Sequence, residues 1–126
     1  DEEEQVNIAR GMKELAPGFA FFKGAIVDQH FMHRARYNRL ISAVLDHPQL
    51  IGVGIDEETA LLVRADGQWE VLGNYYVKIF DARRAQIVDD RGPMAKAADI
   101  RMHVLPEGGL FDPRRRRVEF QEVNIP

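Results

Sequence analysis

The chain contains no cysteine, which excludes disulfide stapling and every thiol nucleophile. Hydroxyl groups are nearly as scarce, since Ser42 is the only serine and Thr59 the only threonine among 126 residues. Ser42 lies within a helical pattern and lacks the Gly-x-Ser-x-Gly turn that exposes a nucleophilic serine. A hydroxyl-based enzyme would have to bring its nucleophile from elsewhere. No apolar run approaches the roughly 20 residues of a membrane-spanning helix; Phe19-Ala20-Phe21-Phe22 and Leu61-Leu62-Val63 are only strand-length. Neither sign of charge dominates, with 17 basic against 20 acidic residues and a net charge of −3. That balance points away from nucleic acid and membrane partners. The start, Asp1-Glu2-Glu3-Glu4-Gln5, has neither the basic nor the apolar region of a signal peptide. The natural start is expected upstream, and a cytoplasmic setting is favoured.

What is present is the mixture of a soluble globular domain, 45% hydrophobic and 29% charged, in a length suited to one domain. Residues 1–16 carry a partial helical period, ended by Pro17-Gly18. Residues 19–27 read as extended structure. The clearest helix is expected over 32–46, where Tyr37, Leu40, Ile41 and Val44 share one face. Pro48 stops it, and Leu50 to Ile55 reads as a buried strand followed by Asp56-Glu57. The chain then turns to β-structure. A hairpin is expected from 60–64 and 69–72 around Ala65-Asp66-Gly67, with further strands at 75–80, 85–88 and 100–105. Residues 89–97 read as a loop, and Arg114-Arg115-Arg116-Arg117 as a solvated tail.

Strand, helix and strand over 25–55 suggest a βαβ unit of a parallel sheet, with helices on its faces. Active groups gather at the C-terminal ends of such strands. His30 follows one strand end and Glu57 the next, so the two could meet at one sheet edge. A neutral imidazole can take a proton from a nucleophile while a carboxylate on its other nitrogen fixes the tautomer. The competing reading is a structural histidine beside a loop carboxylate. Arg34, Arg36 and Arg39 could clamp an anionic substrate through bidentate forks, or line a solvated helix face. Asp28, His30 and His33, or the two histidines with Glu57, could instead hold a metal. The His-x-x-His spacing across a strand-to-helix junction is a poor match to the same-face helical pair, and no metal or cofactor is expected.

The string Ile26-Val27-Asp28-Gln29-His30-Phe31, followed by Arg34, Arg36, Arg39 and Leu40, resembles the cyanophycinases, a family of serine peptidases that also contains aspartyl dipeptidase. Gly52-Val53-Gly54-Ile55-Asp56-Glu57-Glu58-Thr59-Ala60 resembles that family's next signature, at a matching step of 27 residues from His30 to Glu57. The resemblance covers roughly residues 17 to 110. It implies an α/β fold, a parallel-sheet sandwich related to class I glutamine amidotransferases. The chain would be the C-terminal half of that single domain, with an added β-rich end.

The resemblance also implies a Ser-His-Glu triad in which His30 is the general base and Glu57 the acid. The serine would lie on an upstream segment without a counterpart here, supplied in cis or in trans. Asp28, Gln29, Arg34, Arg36 and Arg39 match substrate-site positions. The implied substrate is cyanophycin, a polyaspartate backbone bearing arginine on each side-chain carboxyl, cleaved to β-Asp-Arg dipeptides. Ala35 and Asn38 replace expected glycines, Tyr37 is bulkier than the usual aliphatic residue, and Asn74-Tyr75-Tyr76 replaces small residues. These departures leave room for a dipeptidase acting on other Asp or isoaspartyl peptides, or for a non-catalytic anion-binding module. The isolated chain is expected to be inactive. With a sheet face uncovered it is also expected to self-associate, a homodimer being one outcome.

Overall fold

The computed structural model describes residues 19–22, 24–29 and 34–121. The expected lead-in over 1–16, together with His30 and His33, lies outside the described residues. The described chain opens with an antiparallel pair, β1 (Phe19–Phe22) and β2 (Ala25–Gln29). Helix α1 (Arg34–Asp46) leads to β3 (Ile51–Ile55). Leu40, Ala43 and Val44 recur at the three-to-four spacing that puts residues on one helix face, and all three are buried. The helix ends in bonds from the His47 N–H to the Ala43 and Val44 carbonyls, just before Pro48. As the βαβ reading requires, β2 and β3 are parallel, in register from Ala25 opposite Ile51 to Gln29 opposite Ile55.

The remaining strands are β4 (Thr59–Val63), β5 (Trp69–Gly73), β6 (Val77–Asp81), β7 (Gln86–Val88), β8 (Lys96–Ala98), β9 (Arg101–Leu105), β10 (Gly109–Asp112) and β11 (Arg117–Phe120). They form a five-stranded sheet ordered β1-β2-β3-β6-β9, a four-stranded sheet ordered β11-β10-β5-β4, and the small pair β7-β8. The expected parallel sheet is therefore corrected to a mixed one, because β2 and β3 are its one parallel pair. A parallel neighbour needs a long crossover, usually a helix. The one described helix joins β2 to β3, whereas β6 returns beside β3 after the β4–β5 hairpin and runs antiparallel to it.

Alternation along the central strands builds three layers. Ala25, Val27, Ile51, Val53, Val77, Ile79 and Leu105 face the second sheet and pack on its Trp69, Val71 and Phe111. Ile26 and Phe80 face the other way, onto Leu40, Ala43, Val44 and Leu45 of α1. Gly52 permits this second contact, since a Cβ there would stand 2.4 Å from Val44 Cγ2.

Two further expectations change. The loop over 89–97 gives way to β8 at Lys96, which pairs with β7. The arginine run is not a solvated tail. It forms the turn of the β10–β11 hairpin, where Arg116 is tied to the sandwich by an ion pair to Asp81 at 2.7 Å.

Candidate functional site

The parallel register brings the C-terminal ends of β2 and β3 side by side, Gln29 opposite Ile55. The chain leaves β2 toward His30 and leaves β3 toward Asp56 and Glu57, so both stretches depart from the same edge. His30 itself lies outside the described residues. The expected Arg34 begins α1, while Asp28, Gln29, Arg36, Arg39 and Glu57 are placed with their side chains.

Asp28 points to the helix side of the sheet and is fully buried. A buried carboxylate is costly unless it is paired and hydrogen-bonded, and α1 supplies both needs. Arg39 grips it with two donors, Nε to Oδ2 at 3.2 Å and Nη2 to Oδ1 at 2.8 Å. Arg36, three residues earlier and therefore a neighbour on the helix, donates from Nη1 to Oδ1 at 3.0 Å. The same Nη1 donates to the carbonyl of Gln29 at 2.9 Å. That carbonyl belongs to the peptide unit leading into His30. The guanidinium forks expected to clamp a substrate carboxylate thus engage a carboxylate of the chain itself, and Gln29 is the exposed member of the group.

A second charged knot stands at the end of β3. Asp56, nearly fully buried, accepts from Lys78 Nζ at 2.7 and 2.9 Å and from the Tyr76 N–H at 3.0 Å. The Lys78 ammonium also lies 5.8 Å from the Tyr37 ring centre and 5.4 Å from that of Tyr76, within cation–π range. Lys78, Tyr37 and Tyr76 were not singled out as charge partners in the sequence. Their one signal there is the bulk at Tyr37 and Tyr76 where small or aliphatic residues were expected, and it does not reveal that both rings face one lysine.

Glu57 is exposed at the next position, on a turn held from the far side of the hairpin. Glu58 has a left-handed backbone, φ 56°. Its carbonyl accepts from the Asn74 N–H at 2.9 Å and its Oε1 from Asn74 Nδ2 at 3.0 Å. The Thr59 hydroxyl donates to the Glu57 carbonyl at 3.0 Å and accepts from the Tyr75 N–H at 3.1 Å. Thr59 and Asn74 therefore fix the backbone that carries Glu57. Ser42 is fully buried and donates to the Asn38 carbonyl at 2.8 Å, inside its own helix. Among the described residues no three histidine or acidic side chains form a metal-holding group.

The fold and this edge define a mixed α/β sandwich with two charged knots flanking the exit of a parallel strand pair. No family model matches the chain. Its sequence is similar to the cyanophycinases of Synechococcus elongatus and Thermosynechococcus vestitus, each 38% identical over 122 residues, which is 93% of this chain and 38% of the relative. The cyanophycinase of Trichormus variabilis is 36% identical over 115 residues, 86% of this chain and 38% of the relative. The chain thus spans well under half the length of the curated relatives it matches.

Proposed function

We propose that this chain is the base-bearing part of a cyanophycinase-like serine peptidase, acting on cyanophycin and releasing β-Asp-Arg dipeptides. The similarity to cyanophycinases over 93% of the chain carries this reading, and the common exit edge of β2 and β3 supports it. A serine from outside these residues attacks the scissile carbonyl. His30 accepts its proton and passes it to the leaving amine, and Glu57 orients the imidazole and stabilises its charged form. Water then hydrolyses the acyl-enzyme. In this reading Asp28 and Arg36 act on His30 through the Gln29 carbonyl, as positioning residues, and the exposed Gln29 side chain meets the substrate.

The test uses the chain joined to its serine-bearing segment, assayed on cyanophycin. His30→Ala should lower turnover by about 10³-fold or more, as loss of a general base does in such triads. Glu57→Gln should lower it less and leave KM nearly unchanged, since the carboxylate acts on charge that develops in the transition state. Turnover by the 126-residue chain alone that survives both Ser42→Ala and Thr59→Ala would overturn the proposal.

A further inference from the structure

The arginine run has a place in the fold that the site above does not use. β6 starts at Val77, opposite Ile55 at the site edge, and ends at Asp81. Five residues of strand carry Asp81 about 14 Å away, to the opposite edge of the sheet. There a cleft of about 300 Å³ opens where the two sheets meet, lined by Arg83, Arg84, Arg101, Arg115, Arg116 and Arg117. Among the described residues Asp81 and Asp99 are the only others that line it. The lining therefore carries a surplus of four positive charges, on a chain whose net charge is −3.

Asp81 is already engaged. It accepts from Arg116 Nη1 at 2.7 Å and from the Arg83 N–H at 2.9 Å. Arg116 Nη2 also donates to the Gln49 carbonyl at 2.7 Å. Arg116 and Asp81 thus form a fixed floor. The exposed side chains of Arg83, Arg84, Arg101, Arg115 and Arg117 make no ion pair among the described residues. The β10–β11 turn brings Arg115, Arg116 and Arg117 to the cleft, while Arg83 and Arg84 follow β6 and Arg101 begins β9. Asp112 Oδ1 accepts from the Arg114 and Arg115 N–H groups, and its carbonyl from the Arg116 N–H at 2.7 Å. Arg116 itself has φ 56°, a left-handed backbone where glycine would be cheaper.

We propose that this cleft binds a small multivalent oxyanion, held by several guanidinium forks at once. Arginine forks match phosphate and carboxylate oxygens bidentately, and several within one concave site reinforce each other. Among the described residues the lining has no aromatic or aliphatic side chain. It thus lacks the stacking platform a nucleobase needs, and a single-stranded nucleic acid is disfavoured. The ligand is compact and oxygen-rich, a polyphosphate or a polycarboxylate.

Calorimetric titration of the whole chain at about 0.15 M salt tests this, because exposed single contacts are largely screened there. Inorganic pyrophosphate and citrate are the probes. Saturable one-to-one binding of either supports the proposal, and the tighter probe identifies the phosphate or the carboxylate source. Arg101→Ala with Arg117→Ala should weaken binding about tenfold or more. Arg84→Lys with Arg101→Lys keeps the charge but removes the fork, and should weaken it severalfold. Arg114→Ala, in the same run but outside the lining, should leave it nearly unchanged. The proposal is overturned if neither probe saturates, if Arg114→Ala weakens binding as much as the cleft variants, or if the lysine pair leaves affinity untouched.

Discussion

Asp28 shows how much one carboxylate can organise. It stands next to last in a strand whose preceding residues, Ala25, Ile26 and Val27, are all buried apolar side chains, and nothing in that run foretells that the acid is buried with them. Removing one partner of a buried ion pair leaves the other charge uncompensated, at a cost of about 3–5 kcal/mol. Asp28→Asn and Arg39→Met should therefore each lower the urea midpoint substantially without changing the slope of unfolding. The double variant should cost clearly less than the sum, because the two changes remove one shared contact. Strict additivity would mean that the contact is energetically idle. The sequence placed Asp28, Arg36 and Arg39 in one neighbourhood through strand-to-helix spacing. It left their direction open, since arginine forks suit an internal carboxylate as well as a foreign one.

At the scale of elements, the turn after β3 is held by the segment joining β5 to β6. Gly73 is the tight point, with φ 118° and a Cβ position only 2.3 Å from the Glu58 carbonyl oxygen. Gly73→Ala should destabilise the chain by about 1–3 kcal/mol and displace the turn bearing Glu57. Urea unfolding together with amide chemical shifts at 57–59 would check both effects; unchanged shifts there would mean that the turn does not depend on Gly73. The helix, the β2–β3 pair and the β4–β5 hairpin were legible because periodicity and turn residues agreed there. β10 and β11 were not. Four consecutive arginines conceal a hairpin turn that Asp112 closes and that the distant Asp81, 35 residues before Arg116, ties to the sandwich.

For the molecule as a whole, layering was less legible than the elements. Which face of the central sheet meets the helix and which the second sheet follows from alternation, but the mixed strand order depends on where the β4–β5 hairpin returns the chain. The sandwich also encloses a titratable group. His103 faces Phe111 with ring centres 5.9 Å apart, and its buried Nε2 has no hydrogen-bond partner among the described residues. Burial lowers its pKa below 6.5; Asp81 opposes that shift and Arg101 adds to it. The folded chain thus holds the imidazole neutral more strongly than the unfolded chain does. Its contribution to stability is complete above pH 6.5 and is lost as the pH falls through the lower folded value. The melting temperature should drop on acidification from pH 7 to 5, and His103→Gln should flatten that part of the profile. An unaltered profile in the variant would assign the acid sensitivity elsewhere.

The way the β3 exit turn is anchored has a practical consequence for the opposite end of the β4–β5 hairpin. The two strands pair over five positions, from Thr59 opposite Gly73 to Val63 opposite Trp69, and the bonds that Thr59 and Asn74 make to the Glu57 turn lie at the Thr59 and Gly73 end. The tip at Ala65-Asp66-Gly67 is exposed and closed by its own short bonds, Arg64 N–H to the Gln68 carbonyl and Gly67 N–H to the Arg64 carbonyl. Each doubling of a flexible loop adds only about 0.6 kcal/mol of closure entropy. The hairpin tip is therefore a graft point, where an affinity tag, a fluorophore attachment site or an inserted peptide can be carried without disturbing the far end of the ladder.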